Sequence, residues 1–323
     1  MGNPKFVGGP AEPLPPLRWP APLVGEDLVS IADLTSDEIF FLLDLAGRVK
    51  AQPKRYQFAL EGKTLALLFE KPSLRTRVTF QVGMEQLGGR ALYLGPEEVG
   101  LGKREAVKDV ARNLSRWVNA IAARVRRHET VLELAGEAQV PVINALSDFE
   151  HPCQALGDFF TLLEHKHKLA GLLLAWVGDG NNVCHSLLLA AARLGVRMKI
   201  ASPPGHEPAA RVVAAARAAG GRFELTHDPA AAVAGADAVY TDVWTSMGQE
   251  AEAESRRELF RPFQVNAALM EKAGEQALFL HCLPARRGEE VTDEVLDAPT
   301  SIVCDQAENR LHIQKAILLS LLA

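Results

Sequence analysis

Several short stretches of this chain combine residue types that can do chemistry. The first is Phe69–Phe80, FEKPSLRTRVTF. Pro72 forbids helix before it and Ser73 can cap a helix after it. The backbone N–H groups of Leu74, Arg75 and Thr76 then gather around one point. The helix dipole adds positive potential there, and Arg75 with the hydroxyls of Ser73 and Thr76 adds donors. Such a point suits a phosphate. The same residues also fit an ordinary capped helix with solvated arginines.

A second cation, Arg124, ends an apolar run, where a long side chain can reach a ligand. Arg126 and Arg127, just after it, read as a solvated basic turn. Next comes SDFEHPCQALGDFF, Ser147–Phe160, with His151 and Gln154 around Pro152. A histidine there can donate to a carbonyl oxygen, and an amide can donate and accept. His-Pro also marks a plain helix start.

WVGDGNNVCHS, Trp176–Ser186, is a loose glycine turn: Gly178 and Gly180 are present, but Val183 stands where a third glycine belongs. Asn181 and Asn182 suit the carboxylate or ammonium of a small polar ligand better than a pyrophosphate. Asp242, before TSMG at Thr245–Gly248, can hold an ammonium. HCLP, His281–Pro284, carries Cys282, either a small buried hydrophobe or a reactive thiolate. Arg310 lies near the start of the last helical segment.

The elements that must position these residues alternate. Strand-like runs cover Thr64–Phe69, Ala91–Leu94, Ala120–Val125, Val140–Leu146, Leu172–Val177, Met198–Ala201, Ala238–Val243, Ala277–Leu283 and Ser301–Cys304, with helical segments between them. A helix from Leu34, capped by Thr35 or Ser36, precedes them. Near-continuous apolar strands alternating with helices predict parallel sheets covered on both faces. Nine strands fit two sheets better than one. The class is therefore α/β: two domains, each a parallel sheet flanked by helices, joined by long interdomain helices. The helical stretch Gln154–His167 marks the junction, and an amphipathic helix over Glu308–Leu322 can pack back on the first domain. Ligands of such sheets bind at the carboxyl ends of the strands, which is where the residues above fall.

Composition is consistent with this. The chain has 323 residues, 48% hydrophobic and 23% charged, with net charge −5. That is room for two domains, with no basic excess for a nucleic-acid backbone. The longest apolar run, Leu172–Val177, is far short of the about 20 residues a membrane-spanning helix needs. Residues 1–27 form a proline-rich tail, read as extended or disordered. Cys153, Cys184, Cys282 and Cys304 make no CxxC pair and read as reduced thiols of a cytoplasmic enzyme.

Taken in order, SLRTR (Ser73–Arg77), HPCQ (His151–Gln154), DVWTSMG (Asp242–Gly248) and HCLP (His281–Pro284) resemble the aspartate and ornithine carbamoyltransferase family, from about Leu28 to the C-terminus. The last two motifs resemble its ornithine branch. The resemblance implies the reaction carbamoyl phosphate plus L-ornithine to L-citrulline plus phosphate, in arginine biosynthesis, with no metal or organic cofactor. It implies two small-molecule substrates, no nucleic-acid or membrane partner, and a cytoplasmic homotrimer or multiple of trimers. It makes 28–152 a carbamoyl-phosphate-binding domain, 153–307 an ornithine-binding domain and 308–323 the returning helix.

Carried over by motif, Ser73, Leu74, Arg75 and Thr76 hold the phosphate and Arg124 bridges phosphate and carbonyl. His151 polarises the carbonyl. Gln154 and the Leu283 backbone carbonyl accept from the carbamoyl NH₂, beside Cys282, and Arg310 completes the pocket. Asn182, Asp242, Ser246 and Met247 bind ornithine. Cys282, Asp242, Arg124 and His151 are the catalytic set, with Cys282 and Asp242 helping a neutral δ-amine to form and attack. Two departures stand out. Leu74 replaces the family's usual Thr, keeping the N–H but losing a hydroxyl. In EEVGLGKRE, Gly100 fills the position where relatives carry a Gln or His that reaches a neighbouring subunit, and no replacement among residues 97–105, Lys103 included, is assigned.

Three other readings compete. A sister transferase would use putrescine, an N-acylated ornithine or aspartate. A metal-dependent hydrolase would use His151, Cys153, Cys184, His185, His281 and Cys282, but adjacent strand residues point to opposite faces. A nucleotide-binding protein would rest on the glycine turn alone.

Overall fold

The apolar runs form parallel strands, and the order in which the chain visits them sets where ligands can bind. The computed structural model describes residues 23–245 and 250–323. The proline tract up to residue 22, and Ser246, Met247 and Gly248, lie outside the described residues. The first sheet contains β1 (Thr64–Phe69), β2 (Arg90–Leu94), β3 (Ala120–Arg124) and β4 (Val142–Leu146) in the order β2-β1-β3-β4. The second contains β5 (Leu173–Val177), β6 (Arg197–Ala201), β7 (Arg222–Thr226), β8 (Ala238–Thr241) and β9 (Leu278–His281) in the order β7-β6-β5-β8-β9. All neighbouring pairs are parallel.

The helices of the first half are α1 (Ser36–Ala51), α2 (Arg75–Gln86), α3 (Pro96–Val99), α4 (Val107–Leu114) and α5 (His128–Glu137). Then follow α6 (Pro152–Lys166), α7 (Asn182–Leu194), α8 (Ala210–Ala218), α9 (Pro229–Val233), α10 (Ala253–Phe260), α11 (Ala267–Ala273), α12 (Asp293–Leu296) and α13 (Val303–Leu322). Thr35 caps α1 through a reciprocal pair, its hydroxyl accepting from the Glu38 N–H while Glu38 accepts from the Thr35 N–H. No helix among the described residues is long and apolar enough to cross a membrane.

Two helices tie the sheets together. One hydrophobic cluster runs from Leu65 in β1 through Phe159 in α6 and Ile317 in α13 to Trp176 in β5. The helix α13 packs against α1, α2 and α6, and its first turns reach β9. In the first sheet the chain leaves β1 for β2 on one side and returns to β3 on the other. In the second it leaves β5 for β6 and β7 and returns to β8. Each reversal opens a crevice beyond the strands' carboxyl ends, between β1 and β3 and between β5 and β8.

Two expectations are corrected. Ser301–Cys304 is not a strand: Ser301 makes one isolated bridge to Phe279, and α13 begins at Val303, earlier than the expected Glu308. Short apolar runs do not distinguish strand from helix by pattern alone. The ninth strand is β7, an edge strand whose Arg222 and Glu224 face solvent, so it lacks the apolar continuity of its neighbours.

Candidate active site

Both crevices open into one cleft of about 910 Å³ between the sheets. Ser73, Leu74, Arg75, Thr76, Arg124, His151, Gln154, Asn182, Asp242, Cys282, Leu283 and Arg310 all line it. Every expected site residue among the described ones is therefore brought together.

The first-sheet side is cationic. Helix α2 starts at Arg75, and the Ser73 hydroxyl accepts from the Thr76 N–H at 3.3 Å, so the helix end is preformed. That contact engages one of the three N–H groups expected to face an anion. Leu74 is 73% exposed and offers backbone only. Arg124 ends β3 and Arg310 lies in the second turn of α13, both buried. Arg310 reaches the Thr76 hydroxyl from Nη2 at 3.1 Å and donates from Nη1 to Gln154 Oε1. Burial, with Arg310 and Arg75 nearby, pushes the Arg124 guanidinium down to about 10. Burial also lowers Arg310 and Arg75. Within the protein alone, Arg124 Nε, Arg310 Nε and His151 Nδ1 are buried with no hydrogen-bond partner. Three crowded guanidiniums with spare donors describe a site shaped for a doubly charged oxyanion.

His151 caps the start of α6, and its backbone N–H donates to the Ser186 hydroxyl at 2.9 Å. Ser186 in turn donates to Glu150 at 3.0 Å, and Glu150 also accepts from the Ser30 hydroxyl and the Ile31 N–H. Burial first, then Arg310 and Arg124, holds the imidazole well below its usual range, so it is neutral at pH 7. A neutral imidazole donates one hydrogen bond without adding a fourth charge. Helix α13 passes α6 at Gly157, where a Cβ would lie 3.3 Å from Arg310 Cδ and 3.5 Å from Ile313 Cγ2.

On the second-sheet side the Asp242 carboxylate is already paired, although the Thr245 hydroxyl is buried without a partner. Asp242, just past β8, accepts from Asn181 Nδ2 at 2.7 Å, Cys282 Sγ at 3.0 Å and the Val243 N–H at 2.8 Å. Desolvation and the Asp242 carboxylate raise Cys282 well above the ordinary thiol range, so in the free protein it is a thiol donor. In the free protein the sulfur is thus a hydrogen-bonded part of the cleft wall. Asn182 donates to the Ser147 carbonyl at 2.7 Å. Leu283 has φ 55°, and its peptide bond to Pro284 is cis.

Within the glycine turn, which also lines the cleft, Gly180 serves packing. At Gly180 a Cβ would lie 2.3 Å from Pro208 N and 2.4 Å from Glu207 C, so the residue-206–208 backbone needs the bare Cα. Asn181 Oδ1 caps α7 by accepting from the N–H groups of Val183 and Cys184. Asp242, His281 and Cys282 are the one trio of potential ligand side chains clustered tightly among the described residues. His281 has no free nitrogen for a metal: Nδ1 accepts from the Leu283 N–H at 2.8 Å and Nε2 meets Glu290 at 3.1 Å. Gly100, φ +57°, ends α3, and a Cβ there would lie 2.9 Å from Arg104 Cβ, so this residue shapes a turn.

Sequence reasoning missed Asn181 as the partner of Asp242, and missed Asp158, Tyr240 and Gln306 behind Gln154. Asn181 carried a signal, since an Asn between a glycine turn and a helix is a strong cap. The other three carried none, being paired only through the fold.

Two sequence families match in tandem. Residues 26–164 match "Aspartate/ornithine carbamoyltransferase, carbamoyl-P binding domain", and residues 170–321 match "Aspartate/ornithine carbamoyltransferase, Asp/Orn binding domain". The chain is 54% identical over 306 residues to the ornithine carbamoyltransferase of Pyrococcus horikoshii, covering 93% of this chain and 96% of that one. It is 54% identical over 302 residues to the anabolic ornithine carbamoyltransferase of Pyrococcus furiosus, covering 92% and 96%. Among solved structures, ornithine carbamoyltransferase from Pyrococcus furiosus superposes with TM-score 0.90 at 53% identity, covering 93% and 97%. The Thermus thermophilus enzyme gives 0.84 at 52%, covering 92% and 99%.

Proposed function

Because the chain belongs to the aspartate/ornithine carbamoyltransferase family, we propose the following division of labour in its reaction, carbamoyl phosphate plus L-ornithine to L-citrulline plus phosphate. The observation that carries it is the convergence of Arg75, Arg124 and Arg310 with a neutral His151 and the Gln154 amide, facing the Asp242–Cys282 pair across one cleft.

Ser73, Leu74, Arg75 and Thr76 hold the phosphate at the start of α2. Arg124 spans phosphate and carbonyl oxygen. Thr76, Arg124 and His151 stabilise the oxyanion of the tetrahedral intermediate, where preorganised donors act most strongly. Gln154 Oε1 and the Leu283 carbonyl accept from the carbamoyl NH₂, and Arg310 fixes Gln154 and Thr76. On the other side Asp242 and Asn182, with Ser246 and Met247, bind ornithine. A primary ammonium has a pKa of about 10.4, so its nucleophilic form is scarce at pH 7. With Cys282 already protonated, Asp242 is the group that aligns the δ-amine and takes up the proton it sheds. As the new C–N bond forms and the C–O bond breaks, the arginines receive the leaving phosphate.

On this reading residues 28–152 form the donor domain and 153–307 the acceptor domain, with 308–323 returning to the first. The enzyme works in the cytoplasm, in arginine biosynthesis, as a homotrimer or multiple of trimers. Exposed Leu74 just before α2, Val78 on α2 and Leu92 on edge strand β2 support a subunit contact there. The deciding experiment is a citrulline or carbamoyl-product assay with carbamoyl phosphate and ornithine, putrescine or acetylornithine as acceptor. Ornithine should be used with the highest kcat/KM; turnover favouring putrescine or acetylornithine would overturn the acceptor assignment.

A further inference from the structure

Behind the cleft, Asp158 is fully buried on α6, one turn after Gln154. Its Oδ1 accepts from Gln154 Nε2 and Gln306 Nε2, both at 2.7 Å, and its Oδ2 accepts from the Tyr240 hydroxyl at 3.0 Å. Gln306 on α13 also donates to the Tyr240 oxygen at 3.0 Å, and its Oε1 accepts from the His281 N–H at 3.0 Å. One carboxylate thus joins α6, α13 and β8, and Gln306 carries the link on to β9; the two strands lead into Asp242 and Cys282–Leu283.

A side-chain amide has two orientations of nearly equal shape, and its partners choose between them. Here they agree from both ends. The carboxylate can only accept, which turns Nε2 of Gln154 away from the cleft. The Arg310 guanidinium can only donate, which draws Oε1 toward it. In the flipped orientation Oε1 would face a carboxylate and Nε2 a guanidinium, two repulsive contacts in a dry interior. Burial pushes Asp158 up to about 6, which still leaves it ionised at neutral pH.

We propose that Asp158 is a positioning residue for the transfer reaction: it locks the Gln154 amide with Oε1 toward the carbamoyl NH₂ and, through Gln306 and Tyr240, ties that setting to the acceptor strands. The inference rests on the role given above to Gln154. Its signature is selective. Carbamoyl phosphate carries the NH₂ that needs Oε1, whereas inorganic phosphate does not.

The test is calorimetry on the full chain with both ligands, for wild type, Asp158→Asn, Gln154→Ala and the double variant. Asp158→Asn keeps the shape but replaces one acceptor oxygen with a donor. It should raise the Kd for carbamoyl phosphate by about tenfold, and leave the Kd for phosphate within about twofold of wild type. In the Gln154→Ala background, Asp158→Asn should add little. Equal weakening of both ligands, or full additivity in the double variant, would mean a merely structural role and overturn the proposal. If Gln154→Ala weakens carbamoyl phosphate and Asp158→Asn does not, the positioning role alone is lost. If Gln154→Ala itself leaves carbamoyl phosphate unaffected, the role of Gln154 is wrong and the proposal goes with it. Should Asp158→Asn fail to fold, Tyr240→Phe takes its place. It removes one donor from Asp158, and it should give a smaller loss with the same selectivity; unchanged carbamoyl-phosphate affinity there overturns the proposal too.

Discussion

The two halves of the cleft differ in how much of their polarity is already used. On the first-sheet side, Arg124 Nε, Arg310 Nε and His151 Nδ1 are buried without partners, and three guanidiniums crowd one another. On the second-sheet side, Asp242 already takes three hydrogen bonds, and His281 is engaged at both ring nitrogens. On the proposed reading the first half is completed by its ligand, whereas the second must exchange existing bonds for new ones. An oxyanion should therefore bind the free protein tightly and first, and ornithine should bind well only once the cationic half is filled. Unsatisfied buried donors cost stability in the free protein, and a bound anion returns that cost as affinity.

This contrast can be broken or sharpened by experiment. The largest effect should come from Arg75→Ala. It should weaken carbamoyl phosphate by about tenfold to a hundredfold, as expected for losing a hydrogen bond to a charged group. The melting temperature without ligand should stay level or rise, since one of the mutually repelling cations is gone. Inorganic phosphate should raise the Tm of the wild type more than that of the variant. Calorimetry and thermal melts read both; an unchanged Kd with an intact Tm would end the idea of an anion-completed half.

Cys282→Ala should have a smaller effect, confined to the acceptor half: a roughly threefold to tenfold fall in kcat/KM for ornithine, about the worth of its one hydrogen bond to Asp242. Phosphate affinity should not move. Because the thiol is held well above its usual pKa, the wild-type and variant pH profiles should have the same shape at different heights. A limb near neutral pH that vanishes in the variant would instead reveal a working thiolate.

The smallest effect concerns acid stability. Burial and two arginines hold His151 below the unfolded histidine value of about 6.5. The native state then binds fewer protons than the unfolded state, so this residue's contribution is intact above that value and is lost as pH falls below it. In His151→Gln, the drop in Tm between pH 7.5 and 5.5 should be shallower than in wild type. Equal slopes would mean that His151 takes up protons in the native protein as readily as in the unfolded chain.

Much of this is legible in the sequence. Strand ends marked the site because apolar runs buried on both faces are hard to mistake, and ligands of parallel sheets gather at their carboxyl ends. Thr35, Ser73 and Pro152 announced their helices by capping chemistry and φ restriction. Edge strand β7 escaped because its outward residues are charged. Ser301–Cys304 misled because a few apolar residues suit a helix start as well as a strand. Asp158, Tyr240 and Gln306 were invisible for another reason. They are far apart in the chain, and nothing local in any of them says that it faces the others. The glycine turn looked like ligand chemistry, yet Gly180 answers to the backbone of residues 206–208.

The close passage of α13 over Gly157 has a consequence for how this sequence can change. Alanine is the better helix former by about 1 kcal/mol, and an added methyl would still leave α6 a helix. That methyl would press on Arg310 Cδ, whose guanidinium holds both Gln154 and Thr76. A shift of a few tenths of an ångström in Arg310 should cost aim before it costs folding. Where Arg310 gives way to that methyl, heat resistance and turnover should pull this position in opposite directions, and a library sorted only on folding should drift toward well-folded, slower enzymes.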